Sequence, residues 1–336
     1  ANDDKGQTFM HVKAFEYLLR NGLLEHNVKF IIEGEEEIGS KHLAAWVEEH
    51  REMLACDIIL VSDTTMISDK VPSINCGMRG VTYLQLNVKG PDKDLHSGHY
   101  GGAVANPINT LCDMISSLID KDGRVTIPGF YDDVVEVSRE DRDELARAPF
   151  DMEEYKAGIG IREVKGEKGY TTLERTAIRP CLDVCGIWGG YTGAGSKTVL
   201  PSEAHAKISM RIVPNQKADR IIDLAEKHLK AIAPDYVEVS IEKMEAGNGF
   251  LIPITSTAYQ AASRAMAEVY GIEPVPSRGG GSICVLADMR NILGADPLLM
   301  GFGLERDTIH SPNESYLIRQ LEAGIESIAL FYEYWK

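Results

Sequence analysis

Long apolar runs are missing from this chain of 336 residues: nothing approaches the roughly 18 consecutive residues that a bilayer crossing requires, and no basic-plus-apolar leader is legible before the first helical stripe. No membrane association is expected. Basic residues are scarce. Lys and Arg total 35 against 51 Asp and Glu, and the formal charge of −16 is spread along the whole sequence. Phosphate binding needs basic stripes, which are absent, so nucleic acid is excluded as a partner. The six cysteines, Cys56, Cys76, Cys112, Cys181, Cys185 and Cys284, show no CxxC spacing, which argues against a thiolate zinc site. Reduced, buried thiols in a cytoplasmic protein are the simplest reading. Internal repeats and low-complexity tracts are also absent.

At this length two domains are expected, each with apolar content enough for a core. Phe9, Val12, Phe15 and Leu19 form a helical stripe that Asn21-Gly22 stops, and Val28 to Ile32 reads as a buried strand. Leu43, Trp46, Val47 and Leu54 predict a second helix, followed by a strand over 57–62. From Gly77 the pattern changes. Val81 to Val88 alternates, Val104 to Ile119 reads helical, Ala206 to Val213 alternates again, and a helix over 217–233 precedes the strand Val237, Val239, Ile241. This is a split βαβ plan close to ferredoxin-like. A charged insertion at about 122–180 interrupts it and is expected to be surface helix and loop. After Gly247-Asn248-Gly249 the first pattern resumes, with a helix over 256–270, a glycine-rich turn Arg278 to Ser282, a strand over 297–302 and a closing helix bearing Leu321, Ile325, Ile328 and Tyr332. The smaller domain, 77–248, is thus inserted into a larger one formed by 1–76 and 249–336.

Three consecutive carboxylates, Glu35-Glu36-Glu37, follow the apolar stretch 28–32. Like charges so close cost free energy unless a cation or a shared proton sits among them. Acids recur elsewhere: Asp3-Asp4 opens a helix, Ser62-Asp63 follows the strand at 57–62, and His310 follows the strand at 297–302. In open α/β sheets the carboxyl ends of strands are where ligand sites gather.

With DDKG, EGEEEIGS, VSD, DLHSG, MRIVPN, GGGS and IHSPNE in this order, the chain resembles the di-zinc peptidases that include carnosinases, cytosolic non-specific dipeptidases, aminoacylase and succinyl-diaminopimelate desuccinylase. DKDLHSGHYGG and the long smaller domain look most like the dipeptidase branch. The resemblance implies an α/β catalytic domain, helices flanking a mixed sheet, with an inserted α+β ferredoxin-like lid and dimerisation domain. It implies two divalent ions, zinc foremost, with manganese or cobalt as possible occupants: Asp3 bridges them, Glu37 and His310 complete one, and Asp63 serves the other. It also implies a cis Asp3–Asp4 peptide bond. Glu36 is the expected general base for a water activated by the metals, and His96 is expected to reach the active site of a partner subunit and stabilise an oxyanion. Arg211 would clamp a substrate carboxylate, and Thr198, Gly281 and Ser282 would line the substrate backbone. The implied activity is hydrolysis of dipeptides or short peptides by a homodimer. An N-acyl amino acid deacylase and a catalytically silent binding subunit are the rival readings. Gly190 to Thr198 superficially suggests a phosphate loop, but Ser196 separates Gly195 from Lys197 and breaks the spacing.

Family members carry an earlier His-x-Asp that completes the second metal site, and this chain, which begins at Ala1, has none. The N-terminal part of the catalytic domain is therefore expected to be missing: either that segment accompanies the chain as a separate partner, or the sequence is incomplete. The chain as it stands is expected to bind one metal or none and to be inactive by itself.

Overall fold

The computed structural model describes residues 1–281 and 283–336. In chain order, α1 (Gln7–Arg20) is followed by α2 (Leu43–Glu49), α3 (Arg51–Leu54), β1 (Ile58–Val61), β2 (Ser73–Met78), β3 (Gly80–Lys89) and β4 (Leu95–His96). Then come α4 (Ser97–Tyr100), α5 (Pro107–Ser117), α6 (Arg139–Leu145), α7 (Met152–Ile159), α8 (Thr172–Ala177), β5 (Cys181–Gly189), β6 (Val199–Leu200) and β7 (Glu203–Ile212). The chain closes with α9 (Ala218–Ile232), β8 (Glu238–Gly247), β9 (Phe250–Leu251), α10 (Thr257–Tyr270), β10 (Val275–Gly279), α11 (Cys284–Leu293), β11 (Asp296–Leu299) and α12 (Ile318–Tyr334).

One sheet has the order β1-β11-β2-β10, with β9 on β2. Parallel and antiparallel pairs are mixed in it, because β1 runs parallel to β11 while β11 meets β2 antiparallel. Met10, Ala14 and Leu18 of α1, Ala262 and Met266 of α10, and Ile328 and Phe331 of α12 share a core with Ile74, Leu298 and Leu299. Their helical spacing puts them on one face of each helix. In register, Val61 lies opposite Leu299. The two parallel strands therefore release Ser62-Asp63 and the 300–314 segment side by side at their carboxyl ends.

The second sheet, β5-β7-β3-β8, is antiparallel throughout. With α5 and α9 it forms a βαββαβ unit. Leu84, Leu86 and Val88 point inward while Gln85 and Asn87 alternate outward, as the pleat demands. Ile221, Ala225 and Leu229 of α9 recur every fourth residue on the stripe that covers them. The two passages of chain between the sheets run side by side, and glycine is required there: a Cβ on Gly80 would lie 2.4 Å from the Gly247 carbonyl oxygen.

Several expectations need correction. Val28 to Ile32 is not a buried strand: it pairs with no strand among the described residues, and Ile32 is 77% exposed. An apolar run becomes a strand only when a ladder partner satisfies its backbone, and the described sheet ends at β1. The helix expected through Leu54 breaks at His50 into α2 and α3. The insertion is not wholly superficial, since Val125, Ile127 and Phe130 join the second core. The thiols are not all buried either: Cys56, Cys112 and Cys185 are exposed, and all six are free.

Candidate metal centre

Asp3 lies in the Asn2–Gly6 segment just before α1, and its peptide bond to Asp4 is cis, as the resemblance implies. Two acids from the far end of the chain hold this segment. Glu314 Oε1 accepts the amides of Asn2 and Asp3 at 3.0 and 2.8 Å, and the buried Asp307 accepts Asn2 Nδ2 at 2.7 Å and the Leu304 amide at 2.8 Å.

The three-carboxylate run turns sharply through a short 3₁₀ segment, Glu36–Ile38, which ends at Gly39 with φ 88°. That conformation favours glycine. The turn sends the acids apart. Glu35 pairs with His42 at 2.8 Å, and Glu37 reaches His310. Glu36 stays partly buried, and its carboxyl is pushed up, first by burial and then by the neighbouring charges of Glu37 and Asp3.

His310 Nε2 stands 2.8 Å from Asp3 Oδ2 and 2.9 Å from Glu37 Oε1. The hydrogen bond to Glu37 and the charges of Glu37 and Asp3 raise its pKa. Asp3, Glu37 and His310 thus offer one ligand atom each, all within 4.8 Å of one another. Two carboxylate oxygens and an imidazole nitrogen suit zinc or a neighbouring divalent ion. They line an open cleft of about 320 Å³ with Ser311, Pro312 and Glu314.

Asp63 leaves the carboxyl end of β1. Its pKa is pushed up to about 7, first by burial and then by Asp3, Asp4, Glu36 and Glu37. A pocket in which several carboxylates raise one another is short of positive charge, and a bound cation supplies it. The donor set fits a divalent ion on this ground as well.

The remaining sequence-derived residues fall into two groups. Arg211 sits on β7, on the face opposite the inward residues Met210 and Ile212. Its charge reaches Cys284 at the start of α11, whose thiol burial pushes up to about 11, and Glu36 acts on the same thiol. Gly281 lies just before this helix, while Ser282 lies outside the described residues. His96 and Thr198 belong together elsewhere, because β4 pairs with β6 and the Ser97 amide donates to the Thr198 carbonyl at 3.1 Å. Both are exposed. His96 Nδ1 accepts the Gly98 amide at 3.0 Å, which leaves Nε2 to carry the proton of the neutral ring. Among the described residues no hydrogen bond or ion pair is seen between this ribbon and the acidic cluster.

Three supporting residues escaped the sequence reading. Glu314 lies inside IHSPNE but shows no signal beyond the motif itself. Asp307 and His11 show none. His11 Nε2 lies 2.7 Å from Ser62 Oγ, next to Asp63 in sequence, and burial pushes its pKa down to about 4.

A mixed sheet whose strand ends gather carboxylates and an imidazole around a cleft, joined to a ferredoxin-like unit, defines a metal-dependent hydrolase. The chain belongs to peptidase family M20/M25/M40, which it matches over residues 1–334. It is 31% identical over 340 residues to the human Beta-Ala-His dipeptidase, covering 99% of this chain and 67% of that protein. It is also 31% identical over 340 residues to the Cys-Gly metallodipeptidase dug1 of Schizosaccharomyces pombe, with 99% and 71% covered. The crystal structure of human carnosine dipeptidase 1 matches with a TM-score of 0.81 at 30% identity, over 99% of this chain and 71% of that one. The M20 family metallo-carboxypeptidase Sso-CP2 from Sulfolobus solfataricus gives a TM-score of 0.89 at 33% identity, over 99% and 76%. Each of these relatives is longer than this chain. No helix among the described residues is long and apolar enough to cross a membrane.

Proposed function

We propose that this chain carries the site of a dipeptidase that works with two divalent ions, zinc foremost, and cleaves dipeptides or short peptides. The observation that carries the reading is the convergence of Asp3, Glu37 and His310, drawn from three distant stretches of sequence, within 4.8 Å. Asp3, Glu37 and His310 would hold one ion, and Asp3 with Asp63 would contribute to the second. When bound, such ions lower the pKa of a coordinated water and polarise a carbonyl.

The protein's own groups supply the rest. Glu36, whose pKa is already raised by burial and by its acidic neighbours, takes a proton from the attacking water and returns it to the leaving amine. Arg211 receives the substrate's terminal carboxylate through its guanidinium fork. Gly281 and Ser282 line the peptide backbone. The outlying β4–β6 ribbon supports a contribution in trans: His96, with Thr198 beside it, reaches the cleft of a second copy and stabilises the developing oxyanion, so a homodimer is the working form. We place the catalytic unit at 1–76 and 249–336 and the lid and dimerisation unit at 77–248. Exposed free thiols at Cys56, Cys112 and Cys185 favour a reducing compartment, the cytoplasm.

The test is elemental analysis of the purified full-length protein together with turnover of Cys-Gly, β-Ala-His and an acetyl amino acid before and after chelation. Bound divalent metal, dipeptide turnover lost on chelation and restored by zinc or manganese, and little action on the acetyl compound are expected. Glu36→Gln should cost roughly 10²–10⁴-fold in turnover and leave metal content unchanged. Metal-free protein with chelator-resistant turnover would refute the reading.

A further inference from the structure

The glycine-rich turn after β10 is gripped from below. A Cβ on Gly279 would fall 2.8 Å from Asn75 Nδ2, and one on Gly280 would fall 2.9 Å from the Thr176 carbonyl oxygen and 3.3 Å from Arg79 Nη2. Among the described residues, nothing lies within 4 Å of a Cβ built on Gly281. The first two glycines therefore allow close packing, and the third opens outward, where a ligand can approach.

The grip centres on Arg79, the buried residue between β2 and β3. Its Nε and Nη2 both donate to the Gly280 carbonyl, at 3.2 and 3.1 Å. Nη1 donates in the other direction, to the Arg179 carbonyl at 3.1 Å and the Arg175 carbonyl at 3.3 Å. Its own amide donates to Gly279 at 3.2 Å. One planar fork thus joins the turn to α8 and the residues after it, the end of the 122–180 insertion. A lysine, a point charge on a flexible stem, cannot hold both at once.

The insertion is braced for such a load. Glu167 takes Arg179 in a bidentate pair at 2.8 Å on each arm and Arg124 at 2.6 Å, while Glu174 closes a capping box with Thr171 and takes Arg142 at 2.5 Å. Arg278 of β10 meets Asp141 of α6 at 3.8 Å, a second link between the insertion and the strand that leads into the turn.

We propose that Arg79 is a positioning residue through which the 122–180 insertion sets the place of Gly281, and with it the affinity for substrate. This rests on the dipeptidase reading, in which Gly281 lines the substrate. The insertion then serves binding, not the acid–base chemistry at Glu36.

The experiment compares wild type, Arg79→Lys, Gly280→Ala and the double variant as full-length, metal-loaded enzyme, reading kcat, KM, metal content and thermal midpoint on one hydrolysed dipeptide. Arg79→Lys should raise KM about 10-fold or more, on the scale of a lost charge-assisted hydrogen bond, with kcat within about threefold and metal content unchanged. Gly280→Ala, whose methyl presses on the Thr176 carbonyl and on the retained Arg79 guanidinium and so displaces the turn, should raise KM alike. The double variant should show less than the product of the two effects, because both act on one contact. If Arg79→Lys does not fold, Gly280→Ala decides alone. KM unchanged within about twofold in the folded variants, or a fall in kcat with KM unmoved, overturns the proposal. An inert wild type would overturn the dipeptidase reading and the proposal with it, whereas an active wild type with unaltered variants overturns the proposal alone.

Discussion

Replacing His11 by glutamine should remove a single titration from the stability of the fold. His11 Nε2 faces Ser62 Oγ at 2.7 Å, and burial pushes its pKa from the ordinary 6.5 down to about 4. A depressed histidine is neutral in the native protein, while the unfolded chain takes up a proton as pH falls through 6.5. Between 6.5 and about 4 the unfolded state therefore binds more protons, so native stability is full above 6.5 and is lost as pH falls toward 4. At about 1.4 kcal/mol per pH unit the whole effect is about 3 kcal/mol, of which about 2.5 kcal/mol has gone by pH 4.5. Glutamine keeps a polar group toward Ser62 and does not titrate. Urea unfolding of chelated wild type and His11→Gln at pH 7 and pH 4.5 isolates the term, because chelation removes competition between protons and metal for the nearby acids. The stability of the variant relative to wild type should improve by about 2–3 kcal/mol from pH 7 to pH 4.5. Parallel pH curves, agreeing within about 0.5 kcal/mol, would refute the argument that His11 is held neutral.

Two further outcomes concern the smaller unit. Glu167→Gln leaves the buried Arg179 guanidinium without its bidentate carboxylate and should destabilise by about 3–5 kcal/mol in thermal or urea unfolding, since breaking a buried pair strands a charge. Leu84→Ala, at a position with no exposure in the centre of the antiparallel sheet, should cost about 2–5 kcal/mol in the same assay.

The elements legible in the sequence are those whose two faces differ. The helix read over 217–233 is found at Ala218–Ile232, and the alternation of Val81 to Val88 is found in Gly80–Lys89. β2 was not legible because Ser73–Met78 is buried on both faces and carries Ser73 and Asn75 among its apolar residues, so it has no period to detect. β5 was missed for the opposite reason. Its register slips between Val184 and Gly186, and Val184, Ile187 and Trp188 remain exposed. Val28 to Ile32 has the composition of a strand, but pairing is a long-range property that composition does not carry.

The candidate site divides along the same line. Asp3, Glu37 and His310 were legible because short motifs mark them, whereas Arg79 reads as an ordinary charge beside a glycine. Its meaning lies in a carbonyl 201 residues away. Glu314 and Asp307 act in the same manner, each holding the Asn2-Asp3 segment across some 300 residues of intervening chain (separations of 311 and 305 for Asp3 and Asn2). Carboxylates that are already committed to backbone amides or amide side chains are poor ligands, because their lone pairs are taken and their rotamers fixed. That is why Glu314, although it lines the cleft, reads as a fixture for Asp3 and not as a fourth donor. Glu35 is spent on His42 away from the cleft, whereas Glu37 pairs with His310, itself a member of the donor set. In an acidic cleft, side chains that meet one another and not the surrounding backbone mark where a cation belongs.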